Sequence, residues 1–152
     1  MTKGAFHTSE YPNLFAMLGV SQEEIDRKVE KTFQTMFFDP AERIYFESDD
    51  GMGYMVDTGN NDARTEGMSY GMMMAVQMDR KDIFDRLWKF SKTYMHHKDS
   101  KYEGYFAWSV SLEGVRNAQG PAPDGEEYYA LALFFASARW GDGSEPFDYR
   151  SE

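Results

Sequence analysis

The sequence predicts an all-α fold, and three observations carry that prediction. Four segments of helical length place apolar side chains three and four residues apart, the period of a helix face. The first and third of these are amphipathic, while the second and fourth are apolar almost all round. Stretches rich in Gly, Pro, Asp and Asn separate them. Outer helices paired with inner ones in a toroid would alternate in this way, and so would a simple four-helix bundle. On pattern alone both stay open.

Residues 1–20 read as irregular, with a short helical piece near "YPNLFAML". The first long helix is "SQEEIDRKVEKTFQTMFF". Ser21 and Glu24 have the spacing of a capping box, Ile25, Val29, Phe33 and Phe37 repeat on one face, and Pro40 follows the end. Asp50-Gly51 is a turn signal between two short aromatic or aliphatic runs, which fits a small hairpin or compact loop. The second helix runs from Thr65 to Met78 and should be buried on most sides. The third runs from Lys81 to about His96, with Ile83, Leu87, Phe90 and Tyr94 on the dry face. "GYFAWSVSLEG" reads as a strand or extended loop. The fourth helix spans about Gly125 to Arg139, and "PFDYRSE" has the look of another helix opening, with a cap at Asp148.

Composition narrows the partners. The net charge is −10, with 26 acidic and 16 basic residues among 152. Such a chain repels phosphate backbones, so no nucleic-acid partner is expected. No window approaches the roughly 20 apolar residues of a membrane span, and "MTKGAFHTSEYPNLF" holds no apolar run of signal-peptide length. A soluble cytoplasmic protein is the expectation. The absence of cysteine removes disulfides and thiolate chemistry. Aromatic residues make up 16% of the chain, which suits a ring-rich core or a surface that stacks on flat ligands.

Two carboxylates stand out because each precedes an apolar helix. Glu66 lies in "RTEGMSYGMMMAVQM". A carboxylate in a first helical turn is favoured by the helix dipole. If Met68 and Tyr70 enclose it, burial disfavours the charged form and suits it to proton donation. Asp124 lies in "GPAPDGEEYYALAL", either as an N-cap with Gly125 in the turn, or as a second carboxylate brought to the same end of the helices as Glu66. Paired acids of this kind serve glycosidic-bond cleavage. Trp108 and Tyr105, in "GYFAWS", are core residues or a sugar platform. His96-His97 are adjacent on a helix, face different ways and read as helix-end surface residues. No metal site and no cofactor loop is expected.

The segments "RTEGMSYGMMMAVQMDRKDIFDRLWKF", "GYFAWS" and "GPAPDGEEYYALALFFASARWGDG" resemble glycoside hydrolase family 8, and within it the reducing-end xylose-releasing exo-oligoxylanases. The likeness covers essentially the whole chain. It implies an (α/α)6 barrel of six inner and six outer helices, with residues 1–152 as a single, N-terminal portion. It implies inverting hydrolysis of β-1,4-xylo-oligosaccharides, with xylose released from the reducing end. The motif "EGMSYG" places the general acid on Glu66. "PAPDG" places a sugar-contacting aspartate on Asp124, and "FAWS" places a cleft tryptophan on Trp108. Arg64 is a partner for the acid or the sugar. The general base that the family uses falls beyond Glu152. With fewer than half of the barrel's helices, the second and fourth would expose apolar faces. Self-association, or a complementing C-terminal half, is therefore expected.

Overall fold

The computed structural model describes residues 11–48 and 50–152. The reading of residues 1–10 as irregular lies outside that range. The chain divides into two compact units, Met1–Thr35 and Met36–Glu152.

In the first unit, the short helix α1 (Leu14–Met17) is capped by Asn13, whose side chain accepts the N–H groups of Phe15 and Ala16. Helix α2 (Gln22–Phe38) opens with the expected capping box. Ser21 N–H donates to Glu24 Oε2 at 3.2 Å, and Glu24 N–H donates to Ser21 Oγ at 3.3 Å. Of the four residues predicted to share its dry face, Phe33 and Phe37 are buried, whereas Val29 is half exposed.

The second unit begins with the last residues of α2 and the predicted hairpin. Strands β1 (Tyr45–Glu47) and β2 (Gly53–Met55) pair antiparallel, Tyr45 opposite Met55 and Glu47 opposite Gly53. Gly51, with φ +74°, makes the turn that Asp50-Gly51 signalled. Strand β3 (Ala63–Arg64) leads directly into helix α3 (Thr65–Gln77). Helix α4 (Lys81–Phe90) buries Ile83, Phe84, Leu87, Trp88 and Phe90, the face its periodicity predicts. Its continuation to Met95 is π-helical rather than α-helical, Ser91–Met95, and His96 is already extended. Strand β4 (Ser109–Val110) pairs with β3, Ala63 opposite Val110 and Arg64 opposite Ser109. Helix α5 (Pro123–Trp140) closes the helical set.

Helix α3 packs against both α4 and α5, so helices separated in sequence by α4 are neighbours in space. A helix flanked by its sequence successor on one side and the next but one on the other is the arrangement of an inner ring with outer connectors. Between them lies an aromatic cluster, with Trp88 to Tyr129 at 5.6 Å, Trp88 to Phe106 at 5.7 Å and Phe106 to Tyr129 at 5.0 Å. The buried Tyr129 hydroxyl meets Ser91 Oγ at 2.8 Å. Tyr129→Phe removes that bond while keeping the ring, and is expected to lower stability by about 1 kcal/mol, read by urea denaturation.

Two expectations are corrected. His97 is a buried residue and not a surface one, because its Nε2 bonds the Gln119 carbonyl at 2.8 Å and its Nδ1 meets Arg116 at 3.2 Å. Helix α5 starts at Pro123, earlier than Gly125, so Asp124 lies within the first turn and the N-cap position falls to Ala122. Proline at a helix start forfeits no hydrogen bond, since the first N–H groups lack partners anyway. The fourth helix is expected to expose an apolar face, and α5 does. Its stripe Gly125, Tyr129, Ala132, Leu133 and Ala136 is buried, but Phe134 is 62% exposed, and Tyr128, Leu131 and Phe135 are also open. At the C-terminal end the anticipated helical turn does form: Ser151 N–H bonds the Asp148 side chain at 3.2 Å, and Glu152 N–H bonds the Asp148 carbonyl.

Candidate active site

The two-residue ladder between β3 and β4 is the frame of the site. It continues into α3 through one further bond, in which Thr65 N–H donates to the Trp108 carbonyl at 3.0 Å. Helix starts leave their first N–H groups without intrahelical partners, and here Trp108 supplies one. The residue on each side of Thr65 is a site candidate, so Arg64, Glu66 and Trp108 are tied to one short stretch of paired backbone.

Helix α3 sorts its side chains by face. Met68 and Met72 are fully buried, and Met68 Sδ accepts the Met55 N–H. Glu66, Tyr70 and Met74, four residues apart, instead line a cleft of about 450 Å³ together with Arg64, Asp57 and Thr58. Met68 therefore turns into the core and does not enclose Glu66, as its sequence neighbourhood suggested. The Glu66 carboxylate is half-buried and accepts one long hydrogen bond, from Thr65 Oγ1 at 3.3 Å. It stands in the first turn of α3.

Arg64 is held away from direct pairing with Glu66. Its Nε donates to Asp62 Oδ1 at 2.9 Å, and Nη1 lies 3.8 Å from Asp57 Oδ2. The Asp62 bond first, then the charges of Asp62, Asp57 and Glu66, raise the pKa of the guanidinium. Its Cζ sits 5.2 Å from the centroid of the Trp108 ring, within cation–π range. Asp57 is held below the usual carboxylate range, chiefly by the Asn60 side chain and backbone N–H groups, with Arg64 contributing. A carboxylate so stabilised in its charged form is a poor proton donor.

Asp124 reaches this region by a helix contact. Gly125 packs against Thr65 so closely that a Cβ on it would lie 2.5 Å from Thr65 Oγ1. The neighbours of these two residues, Asp124 and Glu66, are thereby carried at the abutting heads of α5 and α3. Asp124 itself is exposed to solvent. Tyr105, 53% exposed, sits on the turn before Phe106, and among the described residues its side chain makes no hydrogen bond. The backbone next to it is anchored by Glu126, whose Oε1 accepts the Phe106 N–H at 2.9 Å and whose pKa is raised by burial.

Asp57, Asp62 and Glu126 escaped the sequence reading. Asp62 and Arg64 stand two apart in an extended segment, and side chains two apart share a face of a strand. That spacing was the available signal.

The chain matches the model of glycosyl hydrolases family 8 over residues 43–152. It is 58% identical to the reducing end xylose-releasing exo-oligoxylanase of Halalkalibacterium halodurans, over 99% of this chain and 39% of that protein. The structure of Rex8A from Paenibacillus barcinonensis complexed with xylose superposes with a TM-score of 0.94 at 55% identity, over 98% of this chain and 40% of that one. A mutant reducing-end xylose-releasing exo-oligoxylanase complexed with xylobiose superposes with a TM-score of 0.92 at 58% identity, over 97% and 40%. The chain thus spans about two fifths of the length of these relatives. Its helices correspond to part of an (α/α)6 barrel. Matched by the family model over most of its length, the chain belongs to glycosyl hydrolases family 8.

Proposed function

We propose that this chain carries the acid half of an inverting glycoside hydrolase that acts on β-1,4-xylo-oligosaccharides and releases xylose from the reducing end. One observation supports this reading above others: Glu66, a half-buried carboxyl at a helix head, lines a cleft together with a fixed guanidinium that itself lies against the Trp108 indole. In the proposed reaction Glu66 protonates the glycosidic oxygen as the bond to the anomeric carbon breaks. Asp124 holds the sugar next to the scissile bond, and Trp108 stacks on a pyranose face. Inversion needs a second carboxylate, about 6.5–9.5 Å away, to activate water on the opposite face. We assign that base to none of these residues. It belongs to the part of the barrel that the relatives possess beyond the matched region. Xylan, rather than another β-1,4-glycan, is supported by the identity to exo-oligoxylanases and by the xylose and xylobiose held in the solved relatives.

Xylotriose tests the proposal in the chain mixed with a polypeptide covering the part of the exo-oligoxylanases that it does not span, with product chromatography for released xylose and titration calorimetry for binding. Xylose release supports the hydrolase. Binding without release supports an oligosaccharide-binding protein instead, and the absence of both release and binding rejects both readings.

The open face of α5 supports association as part of the working state. Tyr128, Leu131, Phe134 and Phe135 form an apolar surface along one helix, and surfaces of this kind favour contact with another chain. In sedimentation velocity, Phe134→Glu combined with Phe135→Glu is expected to convert associated species to monomer. An unmodified chain that already sediments as a monomer would remove this element of the proposal.

A further inference from the structure

Asp62 is nearly buried, 7% exposed, yet it is a charged residue that lines no described cleft. Burying a carboxylate is costly unless its oxygens are matched, and here both are. Oδ1 accepts from Arg64 Nε at 2.9 Å. Oδ2 accepts from Ser109 Oγ at 2.8 Å, and Ser109 Oγ in turn accepts from Asn117 Nδ2 at 3.1 Å. Ser109 is the register partner of Arg64 across the β3–β4 ladder and the residue after Trp108. One carboxylate therefore clamps the arginine to the strand that carries the tryptophan.

We infer that Asp62 is a positioning residue of the site: it fixes Arg64 against Trp108 and so decides which face of the indole a sugar can reach. This rests on the reading of the site as a glycosidase cleft. Arg64 stands over one face of Trp108, which is thereby closed to a pyranose. A guanidinium carries five N–H donors. Arg64 donates one to Asp62, and among the described residues no other group accepts a hydrogen bond from it. As Arg64 lines the cleft with Glu66, its remaining donors suit sugar hydroxyls. Without Asp62, the arginine would be free to swing to Glu66, uncovering the indole and pairing with the acid.

The test compares the intact chain with Asp62→Asn, Arg64→Lys and Trp108→Phe. Acrylamide quenching of tryptophan fluorescence is measured for each, and subtraction of the Trp108→Phe signal isolates Trp108 from Trp88 and Trp140. Asp62→Asn is expected to raise the quenching of Trp108 roughly two- to fivefold, as loss of an exposed cation–π contact allows, while Trp88 and Trp140 stay unchanged. Xylotriose affinity should fall roughly tenfold, as expected for a lost charge-assisted hydrogen bond. Should Asp62→Asn fail to fold by circular dichroism, Arg64→Lys keeps the ion pair's charges, lacks the planar fork, and gives the same readout. Unchanged Trp108 quenching in the folded variants overturns the inference. If the unmodified chain binds no xylotriose, the glycosidase reading fails, and quenching still decides the role of Asp62.

Discussion

Glu66→Gln is expected to lower xylose release from xylotriose by about 10²–10⁴-fold, the usual contribution of a positioned general acid, while affinity for xylotriose changes little. Glutamine keeps the size of the side chain and can still accept from Thr65 Oγ1, but it has no acidic proton to give the leaving oxygen. Release is best followed with the chain alone and mixed with a polypeptide covering the part of the matched exo-oligoxylanases that this chain does not span, since inversion needs a second carboxylate. A substrate whose leaving group needs no protonation, such as a xylosyl fluoride, should recover much of the lost rate in the mixture. Release that persists undiminished in Glu66→Gln would rule the residue out as the acid. A matched loss of binding would assign it to sugar recognition instead.

The second large effect is structural. Gly125→Ala is expected to destabilise the second unit by about 1–3 kcal/mol, the range seen when a well-packed contact is overfilled. The new Cβ would meet Thr65 Oγ1 at 2.5 Å, Thr65 Cβ at 2.6 Å and the Thr65 backbone carbon at 2.9 Å. The last of these is main chain and cannot rotate aside. Alanine is the better helix former by about 0.8–1 kcal/mol, so the two effects oppose each other and the contact should win. Urea denaturation measures the balance, and equal or greater stability would mean that the two helix heads have room between them. Because Thr65 and Gly125 are flanked by Glu66 and Asp124, the same substitution should also weaken xylotriose binding, more than Tyr129→Phe does.

What the sequence revealed depended on how local the cause was. The Ser21–Glu24 capping box, the Asp50-Gly51 turn and the dry face of α4 rest on residues a few positions apart, and all three appear as read. The family motifs likewise marked Glu66, Asp124 and Trp108 as candidates. Asp62 was opaque because its second partner, Ser109, lies 47 residues later. His97 was misread for a similar reason: the Arg116 and Gln119 groups that make its burial tolerable come from a distant loop. Pro123 did carry a local signal for an earlier start of α5, overridden in the reading by the glycine that follows Asp124. That glycine serves packing rather than a turn.

The widened turn at Ser91–Met95 has a consequence for how this scaffold can change length. A π-helical turn is an α-helix holding one surplus residue. Losing that residue would restore regular geometry, yet rotate everything after it by about 100° around the helix axis. His97 would then leave Arg116 and the Gln119 carbonyl, the two groups that lock it to the loop behind β4. The indole next to Ser109 depends on that loop, since Trp108 N–H donates to the Gly120 carbonyl. A single-codon deletion in this turn would therefore displace the Trp108 ring, while a point substitution at the exposed Thr93 leaves the helical register untouched.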